Sequence, residues 1–257
     1  MWQGIEKGIK QLSRINIYLV FILLLFVFLQ GDVLGVLKQT FISIYSYGVD
    51  FIPMSLALGN YNPGEAFLTD WTYYYWAFWI AWAPFTGIFI ARISKGRTLR
   101  ELVIGVLLIP SLGTFFWFTT FGDAAFEQIS TMSNYKGEFS NVFSSLFIFL
   151  SDYPLSGIVN ALVIVLLVGF LVTSVDSAIY VLSMFTDKGK QTPKKSHRLI
   201  WSIAILFFSI AIILLGNVRP DIDVLVALQK LLILTSLPFS FLLLIMIAKY
   251  LRDQLKE

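Results

Sequence analysis

The 257-residue sequence has no cysteine and one histidine, His197. Disulfide frameworks, thiol nucleophiles, cysteine-based metal sites and histidine clusters are therefore excluded as the basis of its chemistry. Charge is also scarce, at 14% Asp, Glu, Lys and Arg, against about 25% in an average soluble domain. What is there instead is apolar: 57% hydrophobic residues, with 24 Phe, 11 Tyr and 7 Trp. Such a chain takes the bilayer as its solvent, and the fold class expected is an all-α membrane protein. No repeat, low-complexity tract or linker divides it, so 1–257 reads as one membrane domain. With no metal cluster, nucleophile–base pair or phosphate loop in view, no catalytic residue is assigned and the protein is not read as an enzyme.

A helix needs roughly 18–20 apolar residues to cross the hydrocarbon layer. Six runs qualify, at about 15–30, 71–91, 102–122, 155–185, 199–217 and 231–248, the third with a bend expected at Pro110. The first follows Lys7, Lys10 and Arg14 as a signal peptide would, but its tail LQGDVLGVL offers no small-residue cleavage site, and it reads as a membrane helix. Basic residues sort by side. Lys7, Lys10 and Arg14, then Arg92, Lys95, Arg97 and Arg100, then Lys188, Lys190, Lys194, Lys195 and Arg198, then Lys249, Arg252 and Lys256 fall on one side, and Lys38, Lys136 and Arg219 on the other, with Lys230 at the mouth of the last run, able to snorkel outward. The positive-inside rule places both termini in the cytoplasm. Acids such as Asp32, Asp123, Glu127, Asp221 and Asp223 gather outside. The basic residues thus serve topology and call for no nucleic-acid partner, and His197 reads as a solvated loop residue. Within 33–60 the apolar spacing suits a helix lying in the interface, and 123–152 suits an external lid or short helices.

Two constellations could carry chemistry. In DWTYYYWAFWIAW, at the start of the second run, Trp71, Tyr73 and Trp76 fit an interfacial aromatic belt. Trp79 and Trp82 lie deeper, near the midplane at about 1.5 Å per residue, and share a helical face with Tyr75, Phe78 and Phe85. Ring faces at that depth suit a quaternary ammonium group, which has no N–H to donate; helix packing would use the same rings. Pro84 and Gly87 follow at once, as a loosened ion-binding helix or an ordinary kink. In GFLVTSVDSAIY, Phe170, Thr173, Ser174 and Ser177 share a face. Their hydroxyls are hard oxygen ligands for an alkali cation, or they bond back to the preceding turn. Asp176, costly inside a membrane, must face the bundle or a water-filled path.

The block DWTYYYWAFWIAWAPFTGIFIARISKGRTLRE, together with TSVDSAIYVL, resembles the betaine/choline/carnitine transporter family. The similarity runs from GIEKGIKQLSRIN to LPFSF, nearly the whole chain. It implies the last six of about twelve membrane helices: the second inverted repeat of a LeuT-type fold plus the last helix of the first repeat. It further implies that Phe78, Trp79 and Trp82 bind substrate, with Phe78 standing where the family has a third tryptophan and so drawing a cation less strongly. Phe85 matches a residue near one sodium site, and Phe170, Thr173 and Ser174 match another, which favours sodium as the coupling ion; no other cofactor is implied.

The expected function is thus a portion of a sodium-coupled symporter for quaternary-ammonium osmolytes such as glycine betaine, choline or carnitine, working by alternating access. Its expected setting is a bacterial plasma membrane, with the lipid bilayer, the missing amino-terminal half and a homotrimer as partners, and without that half it should not transport. The alternative is a non-transporting remnant or accessory subunit that assembles with a full-length transporter.

Overall fold

A computed structural model describes residues 5–132, 135–190, 192–219 and 223–254; Asp221 and Lys256, invoked above for topology, lie outside them, as do the side chains of Lys7 and Arg92. Most of the described residues are helical, with no strand among them. In chain order the helices are α1 (Ile5–Gln30), α2 (Val33–Ser55), α3 (Glu65–Phe67), α4 (Tyr74–Ile93), α5 (Leu99–Val103), α6 (Ile109–Thr131), α7 (Ser145–Ser151), α8 (Ser156–Thr186), α9 (Lys195–Val218), α10 (Val224–Leu234) and α11 (Ser236–Gln254).

Among the described residues, five stretches are long and apolar enough to cross a membrane: Lys10–Gln30, Leu99–Thr131, Ser156–Thr186, Lys195–Val218 and Val224–Asp253. The protein is an all-α membrane protein. The helix over the expected second run, α4, is absent from that set because hydropathy scales rate tryptophan and tyrosine near neutral, although their rings bury large apolar surfaces.

Proline explains two of the three irregular places. A proline has no N–H for the carbonyl four residues back, and its ring crowds that carbonyl. Before Pro110 the helix widens into a π-turn, Ile104–Leu108, between α5 and α6, so the expected bend takes the form of a locally wider ladder. At Pro238 the unserved carbonyl is that of Leu234, and α10 ends there, with α11 starting at Ser236. Pro84 behaves differently: α4 runs through it unbroken. The loosened segment lies upstream, in a π-turn at Leu68–Tyr73 that the sequence did not announce.

The chain forms two compact units, the first built from residues 1–51 and 98–177, the second from 52–97 and 178–257. In the first, Leu23 and Val27 of α1, Phe149 and Leu150 of α7, and Val159, Val163 and Leu166 of α8 form a buried apolar cluster. The spacings i, i+4 and i, i+4, i+7 place each set on one helical face. The segment 123–152 is thereby partly core: its start extends α6, and α7 turns inward, with the Gln128 side-chain amide donating to the Phe149 carbonyl at 3.1 Å.

In the second unit α4 packs on α10 and α11. The turn after α8 is held by Asp187, a buried carboxylate whose Oδ2 accepts the Lys194 backbone N–H at 2.9 Å, with the Lys190 ammonium at 3.6 Å from Oδ1. Lys188 and Gly189 have positive φ, which lets the Gly189 N–H reach back to the Met184 carbonyl. His197, expected in solvent, is half-buried, with Nδ1 3.2 Å from the Thr186 hydroxyl, which also accepts the Trp201 indole N–H at 3.0 Å.

The Lys194 N–H, reinforced by the charges of Lys190, His197 and Lys194, holds the Asp187 carboxyl below its ordinary value, although burial works the other way. A depressed carboxyl contributes stability above its unfolded value of about 4, and that contribution is lost as the pH falls through the lower folded value. Asp187→Ala is therefore expected to speed amide exchange at Lys194 near neutral pH and to erase the acid-dependent loosening of this turn. Equal exchange in both proteins would show that the carboxylate does not hold the turn.

Candidate functional site

The aromatic row on α4 follows from its sequence spacing. Tyr74, Phe78, Trp82 and Phe85 recur at four, four and three residues, the period of one helical face. Their rings touch in succession. Tyr74 stacks on Phe78 with centroids 6.2 Å apart, Phe78 meets Trp82 at 6.1 Å, and Trp82 meets Phe85 edge to face at 5.4 Å. Trp79 joins from the side, edge to face with Phe78 at 5.7 Å. The structure thus brings together the five residues placed on that face, Tyr75 joining through Tyr74, edge to face at 5.3 Å. Tyr75 also stacks on Trp71 at 5.8 Å, which in turn stacks on Phe67.

Within the second unit Trp79 keeps 61% of its surface exposed and Trp82 37%. A cavity of about 300 Å³ opens beside the row, walled by Asp70, Trp71, Tyr74, Tyr75 and Phe78 and, from α10, by Gln229 and Lys230. Of the three expected substrate residues only Phe78 lines it. The Tyr74 hydroxyl donates to Gln229 Oε1 at 2.8 Å across its mouth. Below the row, Pro84 leaves the Ile80 carbonyl without its helical donor, and the Thr86 hydroxyl donates to the Trp82 carbonyl at 3.0 Å.

The hydroxyl constellation lies in the first unit, on α8. Thr173 Oγ1 donates to the Gly169 and Phe170 carbonyls at 3.0 and 3.1 Å, and Ser177 Oγ donates to the Thr173 carbonyl at 2.9 Å. The back-bonded arrangement is therefore present. It does not remove the oxygens as ligands: a hydroxyl that gives away its proton keeps its lone pairs. Ser174 Oγ has no hydrogen bond among the described residues. Phe170 is 44% exposed, and Asp176 is half-buried. No group of three or more His, Cys, Asp or Glu suited to a metal occurs among the described residues.

One residue escaped the sequence reading. Asn16 of α1 is 2% exposed, and neither its Nδ2 nor its Oδ1 has a hydrogen-bond partner among the described residues. It is seated on Gly169 of α8, where a Cβ would overlap the carboxamide. The available signal was its place as a lone amide in INIYLVF, inside a run otherwise free of side-chain amides until Gln30.

All 257 residues match the sequence profile of the family described as BCCT, betaine/carnitine/choline family transporter. Among curated proteins the chain is 38% identical over 261 residues to the glycine betaine transporter OpuD of Bacillus subtilis, an alignment covering 100% of this chain and 49% of that protein. It is 34% identical to the ectoine/hydroxyectoine transporter of Virgibacillus pantothenticus, covering 97% of this chain and 48% of the other. It is 37% identical to the osmo-independent choline transporter BetT1 of Acinetobacter baylyi, covering 99% and 49%. The chain spans about half the length of these relatives.

Proposed function

The chain belongs to the betaine/carnitine/choline transporter family, and from that membership we propose that it is a portion of a sodium-coupled symporter for quaternary-ammonium osmolytes. It would act by alternating access in a bacterial plasma membrane. Six helices would cross, α4 among them, with both termini in the cytoplasm and the helices arranged as the second inverted repeat of a LeuT-type fold plus the last helix of the first. The observation that carries the reading is the row Phe78, Trp82 and Phe85 with Trp79 at its side, surface-rich rings on one helical face. A trimethylammonium group is attracted to such faces and needs no acceptor. Thr173 and Ser174, with Phe170, would hold the driving sodium through neutral oxygens, and Phe85 would border a second cation.

A binding row on one helix needs an opposing wall. The chain is accordingly proposed to work with the missing amino-terminal half, assembled in a homotrimer. Labelled betaine uptake is expected to be absent from cells producing only this chain and to appear when the amino-terminal half of a family relative is produced beside it. Uptake by the chain alone would overturn the need for that half. Loss of uptake by a co-produced full-length relative, with no transport of the chain's own in any combination, would identify an accessory subunit instead.

A further inference from the structure

We propose that Asn16 is an additional oxygen ligand on the path of the coupling cation, about one helical turn from the Thr173 hydroxyl; the inference rests on the reading of Thr173 and Ser174 as cation ligands. Three observations meet at this place. Asn16 is almost wholly buried, and both atoms of its carboxamide lack a partner among the described residues. The same interface between α1 and α8 is otherwise apolar, built from Leu23, Val27, Val163 and Leu166. Leucine has the same branched four-atom side-chain shape as asparagine and would suit that apolar interface, whereas an unmet amide in apolar surroundings is costly. The site is also shaped for the amide. Gly169 has no side chain, and a Cβ there would overlap both carboxamide atoms of Asn16.

Thr173 continues the same face of α8 one turn on. Its proton is committed to the Gly169 and Phe170 carbonyls, so what it has left to offer is lone pairs. Asn16 Oδ1 is likewise an acceptor. Acceptor oxygens lined along one helix contact call for a positively charged visitor. α1 and α8 run antiparallel, with Leu23 and Val27 packed among Val159, Val163 and Leu166 and Asn16 against Gly169, so Asn16 lies toward the carboxyl end of α1 from Thr173. On the proposed topology that end is the outer one, and an entering sodium ion would meet Asn16 before it reaches Thr173.

The test uses the transporter reassembled from this chain and the amino-terminal half, with two readouts: sodium activation of betaine uptake in proteoliposomes, and the rise in melting temperature on replacing N-methylglucamine with sodium. Asn16→Leu is expected to raise the sodium needed for half-maximal uptake about tenfold, the loss of one oxygen contact to a charged group. It should also shrink the sodium-induced melting shift, with the betaine KM at saturating sodium unchanged. Asn16→Asp, which keeps the oxygen and adds charge, is expected to hold or lower the sodium requirement. Should Asn16→Leu fail to accumulate, Gly169→Ala, which must displace the carboxamide, is expected to reproduce its sodium effect. Thr173→Ala separates the two levels of inference. If it shifts sodium dependence while the Asn16 and Gly169 variants leave both readouts untouched, Asn16 is only a packing residue or a water-binding one. If Thr173→Ala also changes nothing, or sodium gives no melting shift in the parent protein, the cation reading fails and this inference with it.

Discussion

Replacing Trp79 and Trp82 together by leucine is expected to raise the betaine concentration for half-maximal uptake by about a hundredfold in the reassembled transporter. Each ring face is worth about 0.5–2 kcal/mol to a desolvated quaternary ammonium, so two faces amount to roughly 3 kcal/mol, and every 1.4 kcal/mol is a factor of ten. Leucine keeps apolar volume and removes the face, which separates cation attraction from packing. The two positions should not behave alike. Trp79 is the more exposed and meets only the Phe78 ring, so Trp79→Leu should weaken substrate without loss of folded protein. Trp82 touches both Phe78 and Phe85, and its replacement should also loosen the row. An unchanged half-saturation in Trp79→Leu, with a fall only in the abundance of Trp82→Leu, would make the row a packing feature. Phe78→Trp should act in the opposite direction and tighten binding a few-fold.

The second large effect is expected at the hydroxyls. With Thr173→Ala and Ser174→Ala combined, half-maximal uptake should require sodium about a hundredfold higher or more, because two oxygen contacts of roughly 1.5 kcal/mol or more each are lost to a charged group. Misfolding is a weak explanation for such a loss, since alanine is the better helix former at both positions and Thr173 bonds only to its own helix. Betaine affinity at saturating sodium should stay near the parent value. A sodium activation curve superimposable on the parent's would remove the cation site from α8.

These two constellations differ in how far they could be read before folding. The aromatic face was legible because helical period alone brings Phe78, Trp82 and Phe85 together, and side chains on one helix need no partner to be neighbours. Tyr75 joins that face at its end, edge to face with Tyr74, and Trp71 one turn back gives it a second, parallel partner. Helix positions were legible and helix ends less so: apolar runs mark the hydrocarbon layer, whereas α1 and α6 continue as helices into polar sequence. Proline position is local, but its consequence is not. Pro238 ends a helix and Pro84 does not, and the three residues before each, TSL and AWA, carry no local signal for that difference. Asn16 was illegible for a further reason. Its isolation becomes visible only once α8 is laid against α1 and Gly169 is found beneath it.

The hydrogen bond between Tyr74 and Gln229 has a bearing on geometry rather than strength. Tyr74 is four residues before Phe78, so its angular position on α4 is also that of the ring row. A one-residue rotation of α4 would swing Tyr74 through about 100° and break its contact with α10. The azimuth of the whole aromatic row is thus indexed to a neutral amide on another helix, outside the row itself. Changes at Gln229 would act on substrate selectivity as a change of bearing, turning intact rings away from the ligand.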